Sequence, residues 1–411
     1  MWTAAEFFAS LQTLAYAGDV LPPASYIERV EAMWNYGAFV SDPMGCLPRN
    51  GDADLCNSGC NAVTASYFKR DDWTFVCSQG KSGTPPNMTS GPSSAFEWSG
   101  QLVMRSGFDS LATWAFFDVG PYGSSGHAHR DKLNLVLHAK GSMLLVDSGR
   151  FAYAGTDLSA TLHRAYAANT TAHNTLTIDG ADQLPLPAVA TAPISPSSFG
   201  FAPAADWAYG SMSLYDTTVL KGTATHTRAV YYQRAPAASA AGASAVGDFL
   251  LVVDALSSDR PRSVQATWRA HPNATGVAVG ADGVAVVGGV ATHSGQPTQA
   301  QACIMPVAGP GVPRVRAFDR ASLVAGVYAN ATTGVRWQGW FSQSYDDAWP
   351  TPTLVYDAAA VPDGQAGRVE LRVLLPLVAL VDFTVEVQGV AMLVRPVVVV
   401  GVPLLTVTTL L

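Results

Sequence analysis

Charge is scarce in this chain. Lys, Arg, Asp and Glu make up 13 % of 411 residues, the formal net charge is −7, and no long basic run occurs. Nucleic acid is gripped by clustered lysine and arginine, so the composition excludes a nucleic-acid binder. It does not exclude an acidic polymer, which needs only a local cationic patch. Cysteine is also sparse. Cys46, Cys56, Cys60 and Cys77 crowd one loop-rich region while Cys303 stands alone. Four clustered cysteines allow three pairings, and spacing does not choose among them. Unpaired thiols are the plain alternative, and a zinc site built on Cys56 and Cys60 lacks a second close pair. The start, "MWTAAEFFASLQTLAYAG", lacks the basic n-region of an ordinary secretory signal and carries Glu6. A membrane-spanning helix needs ~20 apolar residues. The closing "RPVVVVGVPLLTVTTLL" is interrupted by Pro396 and Pro403 and limited by Arg395, so it reads as a buried terminal strand.

What is abundant points to β-structure. Hydrophobic residues are 48 % of the chain, enough for one large core or two, and 37 Gly and 26 Pro accompany many short β-branched runs. Two helices come first. Thr3 and Glu6 form a capping box ahead of Phe7, Leu11 and Leu14, and a stripe of Tyr26, Val30 and Met33 predicts a helix over 24–36. From about Phe75 the pattern changes to short, turn-bounded runs: "LVMRSG", "ATWAFFDVG", "KLNLVLHAKGSMLLVDSG", "HNTLTIDG", "HTRAVYYQR", "FLLVVDAL", "SVQATWRAH" and "RVELRVLLPL". With no helical period between them, they predict a mainly β chain, a large antiparallel β-sandwich and not βαβ units. The expected division is a helical segment over 1–75 and the sandwich over 76–411. Pro185–Ala205 and Ala235–Gly247 read as surface loops, and no internal repeat occurs.

One stretch carries chemistry: "GPYGSSGHAHRDKLNLVLHAKGSMLLVDSG". In an extended segment side chains two apart share a side, which would project His127 and His129 together. The apolar hairpin beyond them brings Asp147 back to the same end, and register counting sets Asp147 opposite about Asn134. In "AHNTLTIDG" the alternation places His173 on the face opposite Leu176. His129, Asp147 and His173 make a His2Asp set of the kind zinc accepts, with a fourth position left open. The bland reading, loop histidines that hydrogen-bond locally, is preferred for His138, His163, His226 and His293.

These residues resemble the β-sandwich half of heparinase II/III-like polysaccharide lyases, a group of heparinases and oligoalginate lyases. The likeness rests on the combination of GHxHxD, VDxG and AHNT and runs from about Asn50 to His271. It implies that His127 faces a substrate cleft and that His129, Asp147 and His173 hold a structural zinc. It also implies an α/α toroid beside the sandwich, whose last helices correspond to the start of this chain. In such lyases an acidic polysaccharide lies between the two and is cleaved by β-elimination. The residues of the toroid that supply the base, usually a tyrosine helped by histidine or asparagine, would lie upstream of this sequence. Tyr153, Arg164 and Tyr166 flank the motif and are candidates to touch substrate.

Three readings follow. The first is a polysaccharide lyase, or part of one, acting on a uronate-containing glycan. The second is a non-catalytic carbohydrate-binding or wall-associated sandwich that kept the zinc. The third is a zinc hydrolase with Asp131 as base. The clustered cysteines, with sequons at Asn87, Asn169, Asn273 and Asn330, predict an extracellular or cell-envelope location and at least one disulfide that leaves Cys303 free.

Overall fold

The computed structural model describes residues 2–17, 22–120, 127–153, 158–186, 190–235, 248–288, 301–306, 315–316, 320–328, 337–359, 368–376, 383–387, 390–399 and 402–409. Four helices open it: α1 (Trp2–Ala17), α2 (Ala24–Val40), α3 (Ala62–Tyr67) and α4 (Asp71–Cys77). Phe8 and Leu11 of α1 meet Val30, Trp34 and Ala38 of α2 and Trp73 of α4 in a small apolar cluster. The α2 helix runs past its expected end to Val40. Gly59 lies so close to its last turn that a Cβ there would sit 2.2 Å from the Gly37 carbonyl oxygen, so glycine is required. The cysteines pair as Cys46–Cys56 and Cys60–Cys77, and Cys303 is buried and free.

Strands follow, as the short runs predict. β1 (Ser94–Phe96), β2 (Gln101–Arg105), β3 (Trp114–Asp118), β4 (Leu135–Ala139) and β5 (Ser142–Leu145) form an antiparallel five-stranded sheet in sequential order. A four-stranded sheet contains β6 (Leu176–Ile178). The larger sheet includes β7 (Phe199–Phe201), β8 (Ala205–Met212), β9 (Ala224–Gln233) and β10 (Phe249–Ser258). Next to β10 lies Arg368–Pro376, and β11 (Ser263–Arg269) returns to pair with β6. A bridge from Leu145 at the end of β5 to Ala270, just past β11, links the five- and four-stranded sheets. Their inner side chains, among them Leu102, Phe117, Leu135, Ile178 and Trp268, share one core with Val230, Leu250 and Leu256 of the larger sheet. The result is the expected antiparallel sandwich, in which two apolar faces bury one another.

The outer face of the five-stranded sheet is covered too. Val40 at the end of α2 packs with Val103, Trp114, Phe116 and Val136. This double burial explains why β2 to β4 read as continuous apolar runs. The terminal segments 390–399 and 402–409 pair as an antiparallel hairpin. No helix among the described residues is long and apolar enough to cross a membrane.

A short helical turn at Thr217–Leu220, β7 inside the expected 185–205 loop and one longer helix depart from the expected pattern. That helix, α5 (Leu158–Ala168), lies between β5 and β6, where only strands and loops are predicted. It decides where two of the candidate residues point.

Candidate functional site

Three segments converge at one end of the sandwich: the Cys46–Cys56 loop, residues 127–134 leading into β4, and the connection from β5 through α5 to β6. The first approach is very close. Gly51 has a φ of +54°, and a Cβ on it would lie 2.6 Å from the His127 carbonyl oxygen. Only glycine tolerates both the left-handed backbone and that contact.

The next residue, Asp52, is the hub of the site. Its carboxylate lies 2.9 Å from His127 Nδ1 through one oxygen and 2.9 Å from His129 Nε2 through the other. Arg164 of α5 donates to both oxygens. Burial would push the Asp52 carboxyl up, but the hydrogen bonds from His129 and His127 outweigh it and hold the group below its ordinary range. His127 is 61 % exposed while His129 beside it is fully buried, so one carboxylate ties a surface imidazole to an interior one.

Behind His129 lies the metal-like trio. His129, Asp147 and His173 each offer a ligand atom, and these atoms lie within 4.8 Å of one another. All three residues are buried. His173 Nδ1 lies 2.7 Å from Asp147 Oδ2, which also accepts from Asn134 Nδ2 at 2.8 Å. Burial would raise the Asp147 carboxyl, yet the charge and hydrogen bond of His173 bring it down to about 2. Burial would lower His173, and Asp147 raises it.

With His129 Nε2 and His173 Nδ1 each facing a carboxylate, the opposite nitrogens, His129 Nδ1 and His173 Nε2, are left buried without hydrogen-bond partners. His129, with one nitrogen held by Asp52 and the other free, has the form of a metal-ligating histidine.

The scaffold under the trio is polar and extensively hydrogen-bonded. Asn174 donates its backbone N–H to Asn134 Oδ1 at 2.9 Å, and Asn174 Oδ1 accepts from the Arg269 backbone at 2.7 Å. Arg228, wholly buried, spans from Asp254 to the carbonyls of Leu133 and Asn174. His226 shares Asp254, at 2.6 Å, and is therefore a structural residue, as is His138 beside Asp42. His163 is buried among Phe151, Trp337 and Trp340, and His293 lies outside the described residues.

In front of Asp52 opens a cavity of about 350 Å³, lined by Asn50, Gln101, Asp118, His127, Lys132 and Tyr153, among others. The His127 and Tyr153 rings meet edge to face, 5.3 Å between centres, at its rim. Burial and the neighbouring Asp131 push the Asp118 carboxyl up to about 7.

Of the candidates to touch substrate, Tyr153 is 52 % exposed and Arg164 is partly buried and committed to Asp52. Tyr166 does not reach the cavity. It is 4 % exposed, accepts from Arg269 Nη2 at 2.8 Å and donates to Gln338 Oε1 at 3.3 Å. The reason is α5: residues two apart on a helix point to opposite sides, so Arg164 faces the site and Tyr166 faces the core. Sequence reasoning missed Asp52, Asn134 and Asn174. Asp52 is an ordinary acidic residue in a glycine-containing loop, and only its contact 75 positions away distinguishes it.

Residues 88–333 match the sequence profile of the Heparinase II/III-like, C-terminal family. The chain belongs to that family. Among solved structures it is similar to the heparan sulfate lyase HepC from Pedobacter heparinus, at 19 % identity and a TM-score of 0.64, covering 94 % of this chain and 53 % of that one. A heparinase III gene product gives 16 % identity and a TM-score of 0.64 with the same coverage. A further heparinase III gives 14 % and 0.55, covering 94 % of this chain and 55 % of its own. At such identities the likeness shows the fold, and this heparinase-like chain spans about half the length of those proteins. No curated protein matches the sequence.

Proposed function

We propose that this chain forms the sandwich wall of a polysaccharide lyase acting on a uronate-containing glycan by β-elimination. The observation that carries the reading is His127. It is the exposed member of the histidine pair, it stands at the mouth of the cavity, and Asp52 holds its Nδ1. That contact fixes the tautomer with a proton on Nδ1 and directs Nε2 to whatever enters.

In β-elimination a base removes the proton at C5 of a uronate, the C4–O bond breaks, a C4=C5 double bond forms and the leaving oxygen gains a proton. A group that neutralises the carboxylate makes the C5 proton acidic. Here Lys132 and His127 are the cavity-lining groups fit to meet a carboxylate. Asp52 is offset by Arg164 and two imidazoles, and the raised Asp118 carboxyl sheds its charge below about pH 7. Among the described residues Tyr153 is the tyrosine that lines the cavity.

The trio fits zinc, with His129, Asp147 and His173 as the holders. The unpartnered His129 Nδ1 supports that fit. Zinc there would be structural, tying the β5 connection, residues 127–134 and β6 together.

The two disulfides and the exposed sequon asparagines Asn87 and Asn273 support an extracellular or cell-envelope location. The experiment is to incubate the purified chain with uronate polymers, measure binding by calorimetry and follow the new double bond by ultraviolet absorbance. Glycan binding that His127→Ala weakens is expected, with slow elimination at most. Absence of binding to every uronate polymer would overturn the reading.

A further inference from the structure

The larger sheet has an outer face that the sandwich core does not use. Along β8, Asp206, Ala208 and Met212 are buried, while Trp207, Tyr209 and Ser211 alternate with them on the exposed side. On β9 the same alternation sends Val230 and Tyr232 to the core and leaves Thr227, Ala229 and Tyr231 outside. On β10 it leaves Leu251, Val253 and Ala255 outside. The open side of an antiparallel sheet ordinarily carries polar and charged residues. Here none of the outward positions on β8, β9 and β10 is charged. The nearest ion pair, Asp206 with Arg234, is buried beneath the sheet and satisfied within itself.

Two rings dominate this face. Trp207 is 42 % exposed and Tyr209 41 %. Their planes lie within 10° of parallel and their centres 6.3 Å apart, the offset arrangement that aromatic pairs favour. The indole leans across β7, where a Cβ on Gly200, its register partner, would lie 2.5 Å from Trp207 Nε1 and 2.8 Å from Cε2. The absence of a side chain at 200 is therefore what lets the indole settle there. Tyr231 stands across from Trp207 on β9, and its hydroxyl donates to Gln233 Oε1 at 2.6 Å. Beyond Tyr209, the Ser211 and Thr227 hydroxyls bond each other at 2.7 Å.

Parallel aromatic faces edged by hydroxyl and amide groups match a ligand that is itself an apolar C–H face edged by hydroxyls, which is a pyranose. Charge selects the kind. A carboxylate or sulfate would give up hydration for a face that offers no cation among its described outward side chains, whereas a neutral sugar loses nothing of the sort. Shape selects the linkage. An extended β-linked chain keeps successive pyranose faces parallel, as these two rings are, and an α-linked chain turns them away from one another.

We propose that Trp207 and Tyr209, with Tyr231 beside them, form a surface site for a neutral, extended β-linked glycan. The site stands whether or not the cavity at His127 takes a uronate. Its effect is to hold the chain on a polymer, where each weak contact is multiplied by repetition along the strand.

The test is calorimetric titration of the full chain with two uncharged probes of one composition, the β-linked cellohexaose and the α-linked maltohexaose. The unsubstituted chain binds cellohexaose more tightly. Trp207→Ala and Tyr209→Ala each lower that affinity roughly 2- to 10-fold, the range for one aromatic contact. Gly200→Leu, which keeps both rings but fills the space the indole occupies, lowers it as well. His127→Ala leaves it unchanged, and a loss in that variant would put the sugar in the cavity and overturn the site. No binding of cellohexaose, equal binding of maltohexaose, or affinities that both alanine variants leave as before would each overturn it too. If sedimentation shows the chain pairing with itself and Trp207→Ala abolishing the pair, the face joins two copies and the proposal falls.

Discussion

Asp52 lies 2.9 Å from His127 and, through its other oxygen, equally close to His129, so one buried carboxylate orients both histidines of the pair. Removing it would leave Arg164 and an interior imidazole without their anion. Breaking a buried pair from one side costs about 3–5 kcal/mol, and Asp52→Ala should lose a substantial part of that in a urea melt. Asp52→Asn keeps the shape but weakens the support behind His129. If the trio binds zinc, its affinity should fall roughly 10- to 100-fold in that variant, measured by chelator competition. Unchanged stability and unchanged metal affinity together would show that the contact is incidental.

The loop that presents Asp52 and Asp54 is closed by Cys46–Cys56, ten residues apart. Closure of a loop of that size restricts the unfolded chain by about 2–3 kcal/mol in the entropic account. Replacing both cysteines with serine should lower the melting temperature and weaken glycan binding together, because both carboxylates lose their mounting. Replacing Cys60 and Cys77 should cost stability with a smaller effect on binding, since that bridge ties α4 and not the site loop. Equal binding losses from the two pairs would argue against a specific role for the first.

The metal reading predicts about one zinc per chain by elemental analysis. Chelation should lower the melting temperature of the unsubstituted chain, because a structural metal contributes folding energy. His173→Ala should remove both the zinc and the response to chelator. A chain that purifies without zinc and melts identically with and without chelator would leave the trio as a hydrogen-bonded cluster.

The legible parts of this molecule were those with local periodicity. Hairpin counting put Asp147 across from about Asn134, where the Asn134 amide now donates to it at 2.8 Å, whereas His173 follows a helical turn ahead of β6 and is not part of that strand's alternation. The strands fell where the short runs put them because turn residues bound each one. The α5 helix escaped, although Asp157 directly before it is a capping residue, because "LSATLHRAYAA" is short, has no acidic residue in its first turn and packs on the sandwich edge by tertiary contact. Missing it turned Tyr166 the wrong way. Asp52 was invisible for a different reason: its role is a contact between segments 75 residues apart, and nothing in its neighbours encodes that.

Asp118 offers a test of the cavity's electrostatics. Burial and Asp131 raise its carboxyl from 3.8 to about 7, so the folded chain binds this proton more tightly than the unfolded chain does. The stability it contributes is fully present below about pH 4 and is lost as pH rises through about 7. Asp118→Asn keeps an acceptor for the Gly120 N–H, which the Asp118 carboxylate receives at 2.7 Å, and carries no charge at any pH. Relative to the unsubstituted chain it should therefore be of similar stability near pH 4. Above pH 7 it should be more stable, by roughly 2 kcal/mol or more for a shift of this size. Urea melts at pH 4, 6 and 8 would show the two curves diverging as pH rises. Parallel curves would mean that Asp118 titrates as an ordinary carboxylate. In that case Asp118 adds its charge to a cavity already lined by Asp52 and Asp131, and a uronate would have to be met by Lys132 and His127 against it.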